Sequence, residues 1–91
     1  MSIVPLVQLK KGVHVYIDSI APNPVFGDLD PLVSQRLADL GFSNGMPLMV
    51  IAVGVLGKGP FAVRLGNQSQ FALRAPEAAK IMCCMATERF S

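Results

Sequence analysis

The chain has 91 residues, 52% of them hydrophobic and 15% charged, with a formal net charge of +2 at pH 7. So much apolar content excludes a disordered chain, and the length fits one domain rather than a multi-domain enzyme. The small positive charge gives no electrostatic footprint for nucleic acid.

The N-terminal apolar stretch (Ile3, Val4, Leu6, Val7) precedes Lys10 and Lys11, the reverse of the order in a signal peptide. The longest apolar run, Met46 to Leu56, contains Pro47 and Gly54 and falls short of the roughly 20 residues of a membrane-spanning helix. The adjacent cysteines Cys83 and Cys84 build no disulfide scaffold and suit a reducing compartment. The expectation is a compact, soluble, cytoplasmic domain with no direct membrane insertion and no nucleic-acid partner.

In chain order, Gly12 makes a turn, and Val13, Val15 and Ile17 then alternate with His14, Tyr16 and Asp18, as in a half-buried strand. From Ala21 to Asp28 the prolines and glycine deny regular structure and predict a surface loop. Asp30-Pro31 opens a helix over about 30–40, with aspartate as N-cap and proline at the first helical position. Leu32, Val33, Leu37 and Leu40 form its apolar stripe. The stop is a Schellman ending, with Gly41 at C′ and Phe42 at C″ packed on Leu37.

Ser43-Asn44-Gly45 is a turn, and Met46–Val53 is apolar at nearly every position, which predicts a strand covered on both faces. Whether a second copy supplies the outer cover, giving a homo-oligomer through this apolar strand, stays open. Gly54, Gly57, Gly59 and Pro60 mark a turn, and Phe61, Val63 and Leu65 point inward from the next strand. Gly66–Ser69 connects a hairpin to a strand in which Phe71 and Leu73 face in. Pro76–Ala79 forms a helical turn, Ile81–Met85 a last strand, and 86–91 a frayed tail. Five short strands need closure to hide their edges, which favours a small barrel in one domain spanning 1–91.

Catalysis finds no support. The single histidine, His14, faces outward on a strand without an oriented partner, and four of the acidic residues sit at turns, helix ends or the tail. Gly54-x-x-Gly57-x-Gly59 lacks the lysine and hydroxyl residue of a phosphate loop. Met82-Cys83-Cys84-Met85 offers soft ligands for copper(I) or zinc, but neighbouring strand residues point to opposite faces. Cys83 and Cys84 therefore read as small apolar side chains, with no metal or cofactor assigned. Proline-rich or single-stranded ligands want aromatic platforms, and Arg64 and Arg74, which could share a face on neighbouring strands, have none beside them.

Arg36 stands four residues from both Leu32 and Leu40, inside the apolar stripe. Either its methylenes pack while the guanidinium binds a carbonyl or carboxylate, or the stripe is partly exposed and Arg36 anchors a partner.

These elements resemble the FeoA family of small cytoplasmic accessory proteins of bacterial ferrous iron uptake. The resemblance rests on Leu9-x-x-Gly12, the strand to Ile20, Arg36-Leu37-x-x-Leu40-Gly41-Phe42-x-x-Gly45, Gly59-Pro60-Phe61-x-Val63, Gly66, Leu73-Arg74 and Ala78-x-x-Ile81, a core of about 6–84. The stretch Pro22–Leu29 is longer than the family's connection between strand and helix. The resemblance implies an SH3-like five-stranded β-barrel with one inserted helix. It also implies a non-enzymatic protein that docks on the cytoplasmic GTPase part of a FeoB-type permease, recruited by it to the inner face of the membrane and modulating transport. The docking residues carried over are Arg36, Leu37, Leu40, Gly41 and Phe42. The same barrel occurs as the C-terminal regulatory domain of metal-dependent repressors, an alternative reading. A soft-metal chaperone built on Cys83 and Cys84 is another.

Overall fold

Six antiparallel strands form one sheet in a computed structural model that describes residues 2–85. They are β1 (Ile3–Pro5), β2 (His14–Ile20), β3 (Pro47–Val53), β4 (Phe61–Leu65), β5 (Gln70–Leu73) and β6 (Ile81–Met85). Helix α1 (Asp30–Asp39) lies between β2 and β3, and the single turn α2 (Ala75–Ala78) between β5 and β6. The tail 86–91, expected to fray, lies outside the described residues.

The strand order is β1-β6-β2-β3-β4-β5, so the last strand is threaded between the first two. Five strands were expected; β1 is the sixth. Ile3, Val4 and Pro5 pair with Cys84, Cys83 and Met82. Three residues are too few to show a period, and Pro5 is tolerated because β1 is an edge.

Alternation places Val15 and Ile17 of β2, Leu48 and Val50 of β3, Phe61, Val63 and Leu65 of β4, Leu73 of β5, and Ile81 and Cys83 of β6 in one buried cluster. One cluster fed by five strands requires the sheet to coil around it. Register shifts between Ile17 and Ser19 and between Val50 and Ala52 supply local bends of the kind that tighten such a sheet. The result is a barrel-like SH3 fold, but among the described residues the sheet does not close as expected: β1 and β5 remain its edges. Leu6, the first residue of a short 3-10 turn, Leu9, which follows that turn, and Ala78 of α2 also belong to the core.

The reading of Met46–Val53 as covered on both faces is corrected. Leu48 and Val50 are buried, whereas Met49, Ile51 and Val53 are half-buried and Ala52 is exposed. The inner face is thus covered within the monomer, and a second copy would meet only the half-buried outer side chains.

Candidate functional site

Helix α1 ends as its sequence predicts. The Gly41 N–H donates to the Ala38 carbonyl at 3.0 Å, and the Phe42 N–H donates to the Leu37 carbonyl at 3.1 Å. These are the two bonds of a Schellman motif, with Gly41 at φ +111°. Phe42 is fully buried, shares the core cluster with Leu37, and stacks obliquely on Phe71 with ring centroids 5.4 Å apart.

The helix start differs from expectation. Asp30 does not cap α1; it is the first helical residue, and no side chain caps the helix there. Its carboxylate is engaged elsewhere. Asp30 Oδ1 accepts the Asn23 backbone N–H at 2.9 Å and an ion pair from Lys80. The expected surface loop is likewise more ordered. Residues Pro24–Leu29 form a 3-10 turn kinked at Gly27, opened by Asn23, whose Oδ1 accepts the Val25 N–H. Lys80, absent from the sequence reading, is fully buried, and its Nζ lies 5.6 Å from the Phe26 ring centroid. A single lysine between Ala79 and the apolar Ile81–Met85 strand was the available signal.

The apolar stripe of α1 splits in two. Val33 and Leu37 turn inward, Leu37 into the core. Leu32 (51% exposed), Arg36 and Leu40 (45% exposed) form an outer row four residues apart, with Leu29 exposed in the turn before them. The Arg36 side chain makes no hydrogen bond or ion pair among the described residues, so the carbonyl or carboxylate partner first considered for it is not found. Between α1 and β5 lies a hollow of about 190 Å³ lined by Val33, Arg36, Leu37, Leu40, Phe71, Leu73 and Glu77, among others. Of the residues carried over for docking, Arg36 and Leu40 therefore present surface. Leu37 and Phe42 are buried and Gly41 is half-buried, so these three chiefly shape the helix end, with Leu37 also lining the hollow.

The remaining candidates do not converge. His14 is exposed, opposite Met49 in register. Arg64 pairs with Gln70 in register, which puts Arg74 about 13 Å further along the strand at ~3.3 Å per residue. Cys83 points into the core, where its Sγ donates to the Ile81 carbonyl at 3.6 Å. Burial, the adjoining Cys84 and Asp18 push its thiol up to about 12. Cys84 is buried outside that cluster, between register partners Ile3 and Tyr16. Among the described residues no three His, Cys, Asp or Glu side chains gather at metal-binding distances. Two exposed aliphatic residues in the β3–β4 connection, Val55 and Leu56, also escaped the sequence reading.

A coiled antiparallel sheet of this order, with a helix inserted after its second strand, defines an SH3-like domain with an accessible helix flank. Residues 4–84 match the family model of the FeoA domain, and the chain belongs to that family. The FeoA of Stenotrophomonas maltophilia, a prokaryotic SH3 domain protein solved in complex with zinc, is 27% identical, with a TM-score of 0.75 and 89% of each chain covered. The FeoA protein of Chlorobium tepidum is 29% identical, with a TM-score of 0.71 over 91% of this chain and 70% of that one. A manganese-dependent transcriptional repressor shares the fold at 20% identity and a TM-score of 0.76, over 93% of this chain and 37% of that one. No curated protein matches the sequence.

Proposed function

We propose that this chain is a non-enzymatic accessory protein of ferrous iron transport that docks through α1 on the cytoplasmic GTPase part of a FeoB-type permease and modulates transport. Membership of the FeoA family supports the transport role. One observation carries the docking surface: Leu32 and Leu40 stand about half exposed on either side of an Arg36 that has no partner among the described residues. An arginine flanked by aliphatic side chains is the composition of an interface anchor. The hollow beside Arg36 and Leu40 adds a recess for a side chain of the partner. No described helix is long and apolar enough to cross a membrane. In this reading, which follows from the proposed permease partner, the chain works in the cytoplasm and reaches the inner membrane face through that partner.

Pull-down with the soluble GTPase domain of the cognate permease tests this. Wild type is captured, and Leu40→Glu and Arg36→Glu are not, while both variants melt as wild type does. A folded wild type that fails to associate, together with intact iron uptake after deletion of the gene, refutes the reading.

A further inference from the structure

The β3–β4 connection, residues 54–60, closes into a narrow neck. The Gly54 N–H donates to the Pro60 carbonyl at 3.0 Å. A Cβ on Gly54 would stand 2.0 Å from the Gly59 carbonyl oxygen, so the two limbs meet only because residue 54 has no side chain. What this neck holds out is Val55 and Leu56, each 84% exposed. Leu56 also sits at φ 62°, ψ 21°. Glycine, asparagine and aspartate enter that left-handed region readily; a bulky aliphatic residue does not. Two unfavourable features thus coincide at Leu56, an aliphatic side chain in water and a backbone at odds with its Cβ. Neither serves the core, since Val55 and Leu56 lie outside the buried cluster. Strain of this kind at an exposed apolar position points to use rather than to folding.

The arm and the turn beside it carry only positive side chains among their charged residues. Lys10 and Lys11 are exposed on the turn that shares a hollow of about 360 Å³ with Val53 and Gly54. Lys58 is exposed on the arm itself. No acidic residue occurs before Asp18 or between Asp39 and Glu77, so none on the arm or the turn offsets these lysines.

We propose that this arm is a membrane-touching element: Val55 and Leu56 enter the headgroup boundary of an anionic bilayer while Lys10, Lys11 and Lys58 lie over its phosphates. Shape and charge favour a bilayer over a protein groove. The two exposed aliphatic side chains share their arm with Lys58 and adjoin the turn that carries Lys10 and Lys11, and a fluid interface needs no preformed complement. This is adsorption at the surface, which refines the expectation of no direct membrane insertion without adding a span. The arm meets β4 at Phe61, whereas Gly41 at the end of α1 approaches Leu65 at the other end of β4. Val55 and Leu56 do not line the hollow beside Arg36 and Leu40, so the arm and the α1 flank are tested by separate variants.

The test is co-sedimentation of the full chain with vesicles of phosphatidylcholine, with and without an equal part of phosphatidylglycerol. The chain binds the anionic vesicles and not the neutral ones, and raised salt weakens the binding. Val55→Asp/Leu56→Asp weakens it by more than about tenfold through loss of apolar burial. Neutralising Lys10, Lys11 and Lys58 to Gln weakens it by about fivefold per charge. Circular dichroism confirms that these surface variants stay folded. The proposal is overturned if folded wild type ignores anionic vesicles, or if the Val55/Leu56 variant binds them undiminished. It is equally overturned if that pair is needed only for capture by a protein in lipid-free solution. None of these results bears on the α1 variants.

Discussion

Asp30 and Lys80, fifty residues apart in sequence, form an ion pair in which the lysine is fully buried and the aspartate side chain keeps 16% of its surface exposed. The pair fastens the Asn23–Leu29 segment to the corner between α2 and β6. Asn23 adds a second tie on the same side, donating from Nδ2 to the Pro76 carbonyl at 3.0 Å. The long connection after β2 is thereby held against the end of the fold and sets where α1 begins.

Loss of one partner is therefore unequal to loss of the other. Asp30→Asn leaves a buried ammonium without its counter-charge, whereas Lys80→Met replaces that ammonium with an apolar side chain of similar length. Urea denaturation is expected to show Asp30→Asn clearly less stable than wild type, and the double variant Asp30→Asn/Lys80→Met more stable than Asp30→Asn alone. Equal midpoints for Asp30→Asn and wild type would show that the pair contributes nothing.

The same pair predicts an acid limb. The Lys80 hydrogen bond first, and then the Asn23 N–H, hold the Asp30 carboxyl below its ordinary 3.8, with the lysine charge adding to them and partial burial opposing them. A depressed native value means that the stabilisation is complete above the ordinary carboxylate range and is lost as pH falls through the native value. Melting temperature should therefore drop on acidification below about pH 4, and less steeply in Asp30→Asn than in wild type. Parallel profiles for the two proteins would remove Asp30 from the acid response.

Gly41 is the most exacting position at the end of α1. Its φ of +111° disfavours any β-branched residue, and an added Cβ would lie 3.2 Å from Leu65 Cδ1. Gly41→Val is expected to cost about 1–2 kcal/mol or more, from backbone strain and displacement of Leu65. Chemical denaturation measures it, and an unchanged midpoint would mean that the left-handed ending does not stabilise the helix.

How far this structure is legible in the sequence depends on the range of the interaction. Local signals were sufficient for α1, for its ending at Gly41 and Phe42, and for β2, β4, β5 and β6, because periodicity and turn chemistry act within a few residues. Asp30 was misread as an N-cap because its partner Lys80 is fifty residues away, and no local rule anticipates a long-range ion pair. The stripe on α1 was legible as a stripe but not as a divided one. Which edge faces the core is decided by where β5 and Phe71 stand, so the exposure of Leu32 and Leu40 appeared only with the fold. The strand β1 was missed because three residues carry no period, and the Val55–Leu56 tip because its glycines announce a turn without saying what the turn displays.

The thiols follow from β6 being an interior strand. With Cys83 pushed up to about 12 by burial, its thiolate is scarce at neutral pH. A disulfide-exchange reagent at pH 8 is expected to leave Cys83 unmodified in the native protein and to modify both cysteines after denaturation. Rapid modification of both in the native state, or one tightly bound copper(I) or zinc ion lost in Cys83→Ser/Cys84→Ser, would instead favour the chaperone reading.

The two edges of α1 give the sharpest contrast. Leu37 is 3% exposed and packs with Phe42 in the core, while Leu40, one turn on, is 45% exposed. Leu37→Ala removes buried methyl groups and leaves a cavity, a loss of about 2–5 kcal/mol that denaturation will register. Leu40→Ala removes surface that water already reaches, so its effect on stability should stay within about 0.5 kcal/mol. Binding should show the reverse order once stability is accounted for: Leu40→Ala weakens capture of the permease GTPase domain, whereas Leu37→Ala, assayed at a temperature where it remains folded, binds nearly as wild type. If Leu40→Ala destabilises the fold, the outer row of α1 is structural; if it binds undiminished, docking lies elsewhere on the molecule.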